Sequence, residues 1–151
     1  MTDFSFEDVP TEMVATVRRT VPMAELKGFF ATAFGQVADA VTAAGGRVAM
    51  PPFGWYHGEP SDTVDVSAGF RVEGDVHTPD GGIIVHERRG GRSVVGIHVG
   101  SYEDMEKSYV DLETWMSLHS VESRGDMWEE YLSPPEGDPS TWQTRIVMPV
   151  D

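Results

Sequence analysis

The chain has 151 residues and a mass of 16.6 kDa, a length that fits one domain rather than two. Hydrophobic residues make up 40% and charged residues 24% of the sequence, which predicts a folded domain rather than a disordered chain. The sequence has no cysteine, which excludes disulfides and thiolate metal sites. Its formal net charge of −14 disfavours direct binding to nucleic acid, because an acidic surface repels phosphate.

The beginning of the chain shows no mark of a targeting segment. Met1–Pro10 lacks the basic start and the apolar run of a secretory signal. Apolar stretches elsewhere are too short or too interrupted to cross a bilayer. We therefore expect a cytoplasmic protein with no membrane partner, in which residues 1–11 form a tail before the folded domain.

A strand, a helix and two further strands are predicted in the first half of the chain. Apolar and polar residues alternate over 13–21, and Pro22 then begins a helix that extends to the glycines after residue 44. Residues 47–57 and 64–72 return to extended patterns, and the second is typical of a strand with one face in water. The Pro-Pro pair within 47–57 predicts a sheet edge or a bend.

The second half begins with two extended segments, 83–89 and 92–99, on either side of a Gly-Gly pair. This composition predicts a tight hairpin. A helix is predicted over 102–120 from apolar residues at helical spacing, followed by strands over 126–132 and 142–150.

The two halves therefore repeat one β-α-β-β order. The first covers about 12–73 and the second about 92–150, and residues 74–91 link them. In each half a glycine follows the helix, and the next strand ends in tyrosine. This repetition predicts an α+β fold that arose by duplication, with antiparallel sheet, two main helices and a groove where the modules meet around a pseudo-two-fold axis.

Four short motifs, in order along the chain, resemble those of a known family. They are Arg88-Arg-Gly-Gly-Arg92, His98-Val-Gly-Ser-Tyr102, Trp128-Glu-Glu-Tyr-Leu-Ser-Pro134 and Thr144-Arg-Ile-Val-Met-Pro-Val150. Over residues 12–150 the chain resembles GyrI-like small-molecule-binding domains, the effector-binding modules also attached to AraC-type and MerR-type multidrug regulators. Pro134-Pro135 departs from the usual Asp-Pro of that family.

The resemblance implies two SHS2-like modules and an aromatic groove that accepts lipophilic, often cationic, molecules beside one buried carboxylate. The family's acid lies two residues before the motif tyrosine Tyr131, which makes it Glu129. From the residues alone, Glu129 and Glu130 are equivalent candidates on opposite faces of one strand, and solvation of both is the ordinary alternative. A carboxylate in an apolar groove has a raised pKa and selects for positive charge.

The other candidates for the ligand site are aromatic or methionine side chains, although most such residues in a small domain form the core. They are Met50, Phe53, Trp55, Tyr102, Trp115 and Tyr131. Trp55 and Tyr131 are predicted to face each other across the pseudo-two-fold axis and to offer cation–π contacts. Met50 and Phe53 are predicted to line an adaptable wall. Trp115 lies off the packing stripe of its helix, either at the core edge or in the groove.

Composition and motifs leave three functions to compare. No metal or cofactor is predicted, because the five histidines never approach a ligand spacing. The favoured function is a stand-alone binding protein for lipophilic or cationic small molecules, since no helix-turn-helix fits before residue 12; a regulator is one conceivable protein partner. The resemblance also implies an alternative, a hydrolase of cyclopropane-containing DNA-alkylating natural products that uses Glu129 with Tyr131 or Tyr56. A third function is an acidic protein directed at gyrase.

Overall fold

The computed structural model describes residues 2–74, 76, 82–134 and 136–151. Pro135 and part of the predicted linker, residues 75 and 77–81, lie outside this description. The strands are β1 (Phe4–Val9), β2 (Glu12–Pro22), β3 (Arg47–His57), β4 (Thr63–Glu73), β5 (Ile84–Arg88), β6 (Gly91–Val99), β7 (Asp126–Tyr131) and β8 (Gln143–Pro149). The helices are α1 (Leu26–Ala43) and α2 (Met105–Leu118), preceded by 3-10 turns at Met23–Glu25 and Tyr102–Asp104.

The strands form one antiparallel sheet in the order β1-β6-β8-β7-β3-β4-β2-β5, which confirms the predicted α+β class. Outward from the central pair, β3-β4-β2-β5 mirrors β7-β8-β6-β1. The repeated units are thus β2-α1-β3-β4 and β6-α2-β7-β8. Gly54 pairs with Glu129 across the centre, and a tyrosine follows each two residues later, so the pseudo-two-fold axis passes between them.

The two outermost strands are exchanged between the modules. β1 pairs with β6 of the second module, and β5 pairs with β2 of the first. The segment predicted as an amino-terminal tail is therefore an edge strand of the sheet. The predicted hairpin around Gly90 is wrong, because β5 and β6 lie near opposite ends of the sheet and do not pair with each other.

These exchanged connections force the sheet to curl. β1 and β2 are six strand positions apart, which is roughly 29 Å in a flat sheet, yet only Pro10 and Thr11 join them. The same separation is bridged between β5 and β6 by Arg89 and Gly90. Two linking residues span only about 10 Å, so the ends of the sheet must approach each other. They do: the Gly90 N–H donates to Thr11 Oγ1 at 2.9 Å.

Each face of the curled sheet buries its own apolar residues. Both helices lie on one face, where α1 packs on the first module and α2 on the second. The other face, inside the curl, holds a cluster composed of Val9, Val14, Phe53, Trp55, Trp128 and Val147. Ser67 and Gly69 of β4, predicted to face water, are buried on this inner face. In the described residues, no helix is long and apolar enough to span a membrane.

The Pro-Pro pair lies in a central strand rather than at a sheet edge. β3 pairs with β4 and β7, and its register with β4 shifts between Ala49 and Phe53. This irregularity accommodates Pro51 and Pro52, which cannot donate hydrogen bonds to a regular ladder. The strand then regains its pairing before it reaches Gly54, at the centre of the sheet.

Candidate ligand-binding site

Glu129 lies on the helix-bearing face of the sheet, at its centre between α1 and α2. Its side chain points away from that of Glu130, because successive residues of a strand face opposite sides. Glu129 is 7% exposed, whereas Glu130 is half-buried on the inner face and forms an ion pair with Arg145 at 2.9 Å. The order of exposure is the one predicted, with Glu129 the more buried of the two.

Three phenols donate hydrogen bonds to the Glu129 carboxylate. The Tyr131 hydroxyl donates to Oε1 at 2.8 Å, and the Tyr56 hydroxyl donates to the same oxygen at 3.3 Å. The Tyr109 hydroxyl donates to Oε2. The donors come from β7, β3 and α2, so both modules contribute to one polar cluster. We call Glu129, Tyr56, Tyr109 and Tyr131 the carboxylate cluster.

In the part of the chain that the structure describes, no lysine or arginine neutralises the Glu129 carboxylate. Among the ion pairs of the described residues, which extend to 4.0 Å, none includes Glu129. Burial raises the pKa of Glu129, and the hydrogen bonds from the three phenols oppose that rise without cancelling it. Burial and the nearby carboxylate together raise the pKa of Tyr56, Tyr109 and Tyr131 well above the ordinary value.

Aromatic rings surround the carboxylate cluster on two sides. Phe30 and Phe34 of α1 stack on each other at 5.5 Å between ring centroids. Both form T-shaped contacts with Tyr131, at 5.9 and 6.2 Å between ring centroids. On the other side, Tyr102 lies 5.9 Å from Tyr131 and 5.1 Å from Trp142. Tyr102 is 40% exposed, which makes the Tyr102–Trp142 pair the rim of the groove.

Gly54, opposite Glu129, makes room for the Phe30 ring and the Tyr131 hydroxyl. A Cβ atom at this position would lie 2.8 Å from Phe30 Cζ and 2.8 Å from the Tyr131 hydroxyl, too close for either to stay in place. A side chain at position 54 would therefore displace a wall of the groove or a donor of the carboxylate cluster. The site thus combines a glycine floor, a buried acid and aromatic walls.

The GyrI-like small molecule binding domain matches residues 2–151 of the chain. The chain belongs to this family. Among curated proteins, none matches the sequence. The match includes β1, which the sequence prediction had left outside the domain.

Solved structures share the GyrI-like fold with this chain. The EcmrR C-terminal domain is 21% identical, with a TM-score of 0.85 over 100% of this chain and 98% of that one. SAV2435 bound to tetraphenylphosphonium is 11% identical, with a TM-score of 0.73 over 99% and 94%. A hydrolase from Listeria innocua is 14% identical, with a TM-score of 0.72 over 98% and 91%. Identities this low show the fold alone.

Of the residues predicted for the GyrI-like ligand site, the structure brings Glu129, Tyr131 and Tyr102 together. Phe53 and Trp55 lie on the inner face, on the opposite side of the sheet from Glu129. The residue across from Trp55 is Trp128, not Tyr131. The Trp55 indole N–H donates to Asp126 at 2.8 Å. The prediction that Trp55 faces Tyr131 is therefore wrong.

Met50 and Trp115 also lie apart from the carboxylate cluster. Met50 is 67% exposed in the irregular part of β3. Trp115 lies at the core edge, where its ring contacts Phe6 at 4.9 Å and stacks on His119 at 3.7 Å. Of the two positions predicted for Trp115, the core edge is the one observed.

The sequence prediction missed several residues of the groove. Tyr109 has the helical spacing of a packing residue, and its ring does pack in the core, but its hydroxyl reaches Glu129. Phe30 and Phe34 also have the spacing of packing residues; their separation of four places them together on one helix face. The duplication could have pointed to Gly54, because Gly54 occupies the position equivalent to Glu129.

In the described residues, no group of three or more His, Cys, Asp or Glu could hold a metal ion.

Proposed function

We propose that this GyrI-like domain binds lipophilic organic cations in the groove between α1 and α2, with Glu129 as the counter-charge. The observation that carries the proposal is a buried carboxylate with three phenol donors and, within the described chain, no basic partner. Burial opposes its charge, and the phenol hydrogen bonds and the nearby His98 compensate only in part. An entering cation supplies the missing positive charge, and a neutral ligand does not.

The aromatic walls support the same class of ligand. The faces of aromatic rings attract cations, and the attraction increases when water is excluded. Phe30, Phe34, Tyr102 and Trp142 present rings around the carboxylate cluster, which suits a cation surrounded by apolar groups. The shared fold with SAV2435, which was solved with tetraphenylphosphonium, supports the choice of an onium ion as the probe.

The test compares a cation with a neutral molecule of nearly the same shape. Methyltriphenylphosphonium and triphenylphosphine oxide differ mainly in a methyl group and an oxygen on phosphorus. We expect Glu129→Gln to weaken binding of the cation roughly ten- to thirty-fold, or about 1–2 kcal/mol after desolvation, and to change binding of the oxide less than about twofold. Isothermal titration calorimetry measures both.

Glu130→Gln is the matched control, because the same change one residue along lies on the inner face. It should leave both affinities within about twofold of the wild-type protein. The role of Glu129 as counter-charge would be contradicted if Glu129→Gln lost the same amount of affinity for the cation and for the oxide. It would also be contradicted if the affinity for the cation did not change.

A second candidate function is hydrolysis of a cyclopropane-containing DNA-alkylating natural product. The observation that favours it is the raised pKa of Glu129, which suits a group that takes a proton from an attacking water. Tyr131 and Tyr56 lie on the same carboxylate oxygen and supply further hydroxyls. Turnover followed by mass spectrometry, present in the wild-type protein and lost in Glu129→Gln, would support hydrolysis; binding of an unchanged molecule would support the first proposal.

A further inference from the structure

His98 of β6 connects the rim of the groove to the body of α2. The side chain is buried, at 4% exposure. Its Nε2 lies 2.9 Å from the carbonyl oxygen of Ser101, and its Nδ1 lies 2.6 Å from the hydroxyl of Ser108 in α2. Ser101 immediately precedes Tyr102. One imidazole therefore contacts both the helix and the turn that carries the rim tyrosine.

The neighbours of His98 assign the proton on its ring. A carbonyl oxygen only accepts, so Nε2 carries the hydrogen and donates it to Ser101. In the neutral ring Nδ1 is then an acceptor, and the Ser108 hydroxyl donates to it. The Ser108 oxygen, 2.5 Å from the Thr2 hydroxyl, accepts from Thr2 in turn. The two nitrogens thus have separate tasks, one toward the turn and the other toward the helix.

The turn that His98 holds is short, and backbone hydrogen bonds also support it. The Ser101 carbonyl also accepts from the Asp104 N–H at 3.1 Å, which closes the 3-10 turn. The Gly100 N–H donates to the Trp142 carbonyl at 2.8 Å and ties the turn to the other rim residue. Gly100 has φ of 140°, a conformation that favours glycine. The backbone that carries Tyr102 is therefore held by the His98 bond, by these two backbone bonds and by the Met105 N–H, which donates to the Tyr102 carbonyl.

We propose that His98 is a positioning residue for the ligand groove. Its Nε2–H bond to Ser101 holds Tyr102 against Trp142 and Tyr131, and so sets the affinity for the bound cation without touching it. The hydrogen bond that Ser108 donates to Nδ1 faces the helix rather than the turn, so we expect it to make no contribution of its own to affinity. This inference rests on the proposed function for its binding readout only.

Two substitutions of His98 separate the tasks of its two nitrogens. A glutamine amide reaches the region of Nε2 and can donate to Ser101, whereas the shorter asparagine amide reaches only the region of Nδ1. We expect His98→Gln and the control Ser108→Ala to bind methyltriphenylphosphonium within about twofold of the wild-type protein. We expect His98→Asn to bind it about five- to tenfold more weakly, as for the loss of one hydrogen bond.

A double-mutant cycle distinguishes positioning from a general loss of structure. In a Tyr102→Ala background, His98→Asn should cause no further loss of affinity, because the residue that it positions is absent. A second measurement needs no ligand: the ring protons of Tyr102, shifted by the Trp142 ring, should move toward unstructured values in His98→Asn and stay in His98→Gln. Nuclear magnetic resonance detects this shift, and thermal unfolding checks that each variant is folded.

The outcomes separate this inference from the proposed function. The positioning role would be overturned if His98→Gln and His98→Asn lost the same amount of affinity for the cation. It would also be overturned if His98→Asn weakened binding as much in the Tyr102→Ala background as in the wild-type protein. A wild-type protein that does not bind the cation would contradict the proposed function. In that case the Tyr102 ring shift alone decides whether His98 positions the rim.

Discussion

At the scale of single residues, the Glu129 carboxylate is subject to opposing influences. Burial favours its protonated form, while the hydroxyls of Tyr56, Tyr109 and Tyr131 favour the ionised form. The pKa of Glu129 remains above its ordinary value because burial is the larger influence. A cation in the groove, like the phenols, favours the ionised carboxylate and lowers the pKa of Glu129. Binding and ionisation are therefore coupled.

This coupling predicts that the affinity for a cation depends on pH. The bound cation favours the ionised carboxylate, so affinity is complete above the raised pKa of the free groove and declines as the pH falls below it. Titrations of methyltriphenylphosphonium from pH 8 to pH 5 should therefore show progressively weaker binding. Glu129→Gln should give a flat profile, and so should triphenylphosphine oxide with the wild-type protein. A decline of the same steepness in Glu129→Gln would assign the pH dependence to another group.

Gly54→Ala tests the space opposite Glu129. The new Cβ would displace the Tyr131 hydroxyl or Phe30, so we expect roughly tenfold weaker binding of the cation and a free energy of unfolding lower by about 1–3 kcal/mol. Calorimetric titration and urea denaturation measure the two effects. Gly35→Ala in α1 is the control, because no atom lies within 4 Å of its added Cβ. It should stabilise the helix by about 0.5–1 kcal/mol and leave binding unchanged.

At the scale of elements, the inner face of the sheet is organised around Arg88 of β5. Its guanidinium lies 4.4 Å from the Phe53 ring centroid and 4.0 Å from that of Trp128, two residues that the pseudo-two-fold axis relates. Within the described structure, its Nε and Nη1 are buried without a hydrogen-bond partner. Burial lowers the pKa of Arg88 to about 10, despite the nearby Glu130 and Glu12. Its Nη2 lies 3.4 Å from Glu12, and we infer that the packing of Arg88, more than this ion pair, holds β5 on the sheet.

Two substitutions of Arg88 separate its packing from its charge. Arg88→Met keeps most of the volume between the two rings and removes a charge whose burial is costly. We expect its free energy of unfolding to be unchanged or higher by up to about 4 kcal/mol. Arg88→Ala leaves a cavity, and we expect a decrease of about 2–5 kcal/mol. Chemical denaturation ranks the variants; a methionine variant as unstable as the alanine variant would show that the charge matters more than the volume.

The element boundaries were predictable where local chemistry determines them. Pro22 precedes the first helical segment and Gly45 follows it, as their backbone preferences require. Counted together with the 3-10 turns that precede them, both helices lie within two residues of the predicted bounds. The connection around Gly90 was not predictable in this way. A Gly-Gly pair permits a hairpin, but Gly90 instead allows close passage of Pro10, whose carbonyl carbon would lie 2.4 Å from an added Cβ.

The groove was predictable only in part, for a related reason. Alternation shows which residues share a face of a strand, but not which face receives the helices. Glu129 could be assigned from the family resemblance. Trp55 was placed on the wrong face because the sequence of neither strand reveals that β3 pairs with β7. Tyr109 has both a core ring and a site hydroxyl, and no pattern in one sequence separates these roles.

At the scale of the whole molecule, the exchanged edge strands make each module depend on the other half of the chain. Phe4 of β1 is buried in the core of the second module with Val94 and Leu112, although it precedes the first module in sequence. β5 supports the first module in the same manner, with Val85 packed against that core. Neither module is therefore complete within its own segment.

This exchange predicts a crossed response to substitution. Phe4→Ala removes about 3–5 kcal/mol of core packing, and we expect the amides of β6 and α2 to exchange hydrogen faster while those of β2 change less. Val85→Ala should have the converse effect, with faster exchange in β2. Hydrogen exchange followed by mass spectrometry resolves both segments. If Phe4→Ala increased the exchange rate of β2 amides more than that of β6 amides, the result would contradict this dependence.

The pairing of Gly54 with Glu129 also bears on how such a fold can originate. A homodimer of identical half-length chains would place the same residue on both sides of its symmetry axis. Two glycines would leave the groove without a charge, and two glutamates about 5 Å apart across the strands would repel each other and share a proton. One carboxylate facing one glycine requires two halves that differ in sequence. A single chain whose halves have diverged therefore permits a groove with a single charge, which exact symmetry forbids.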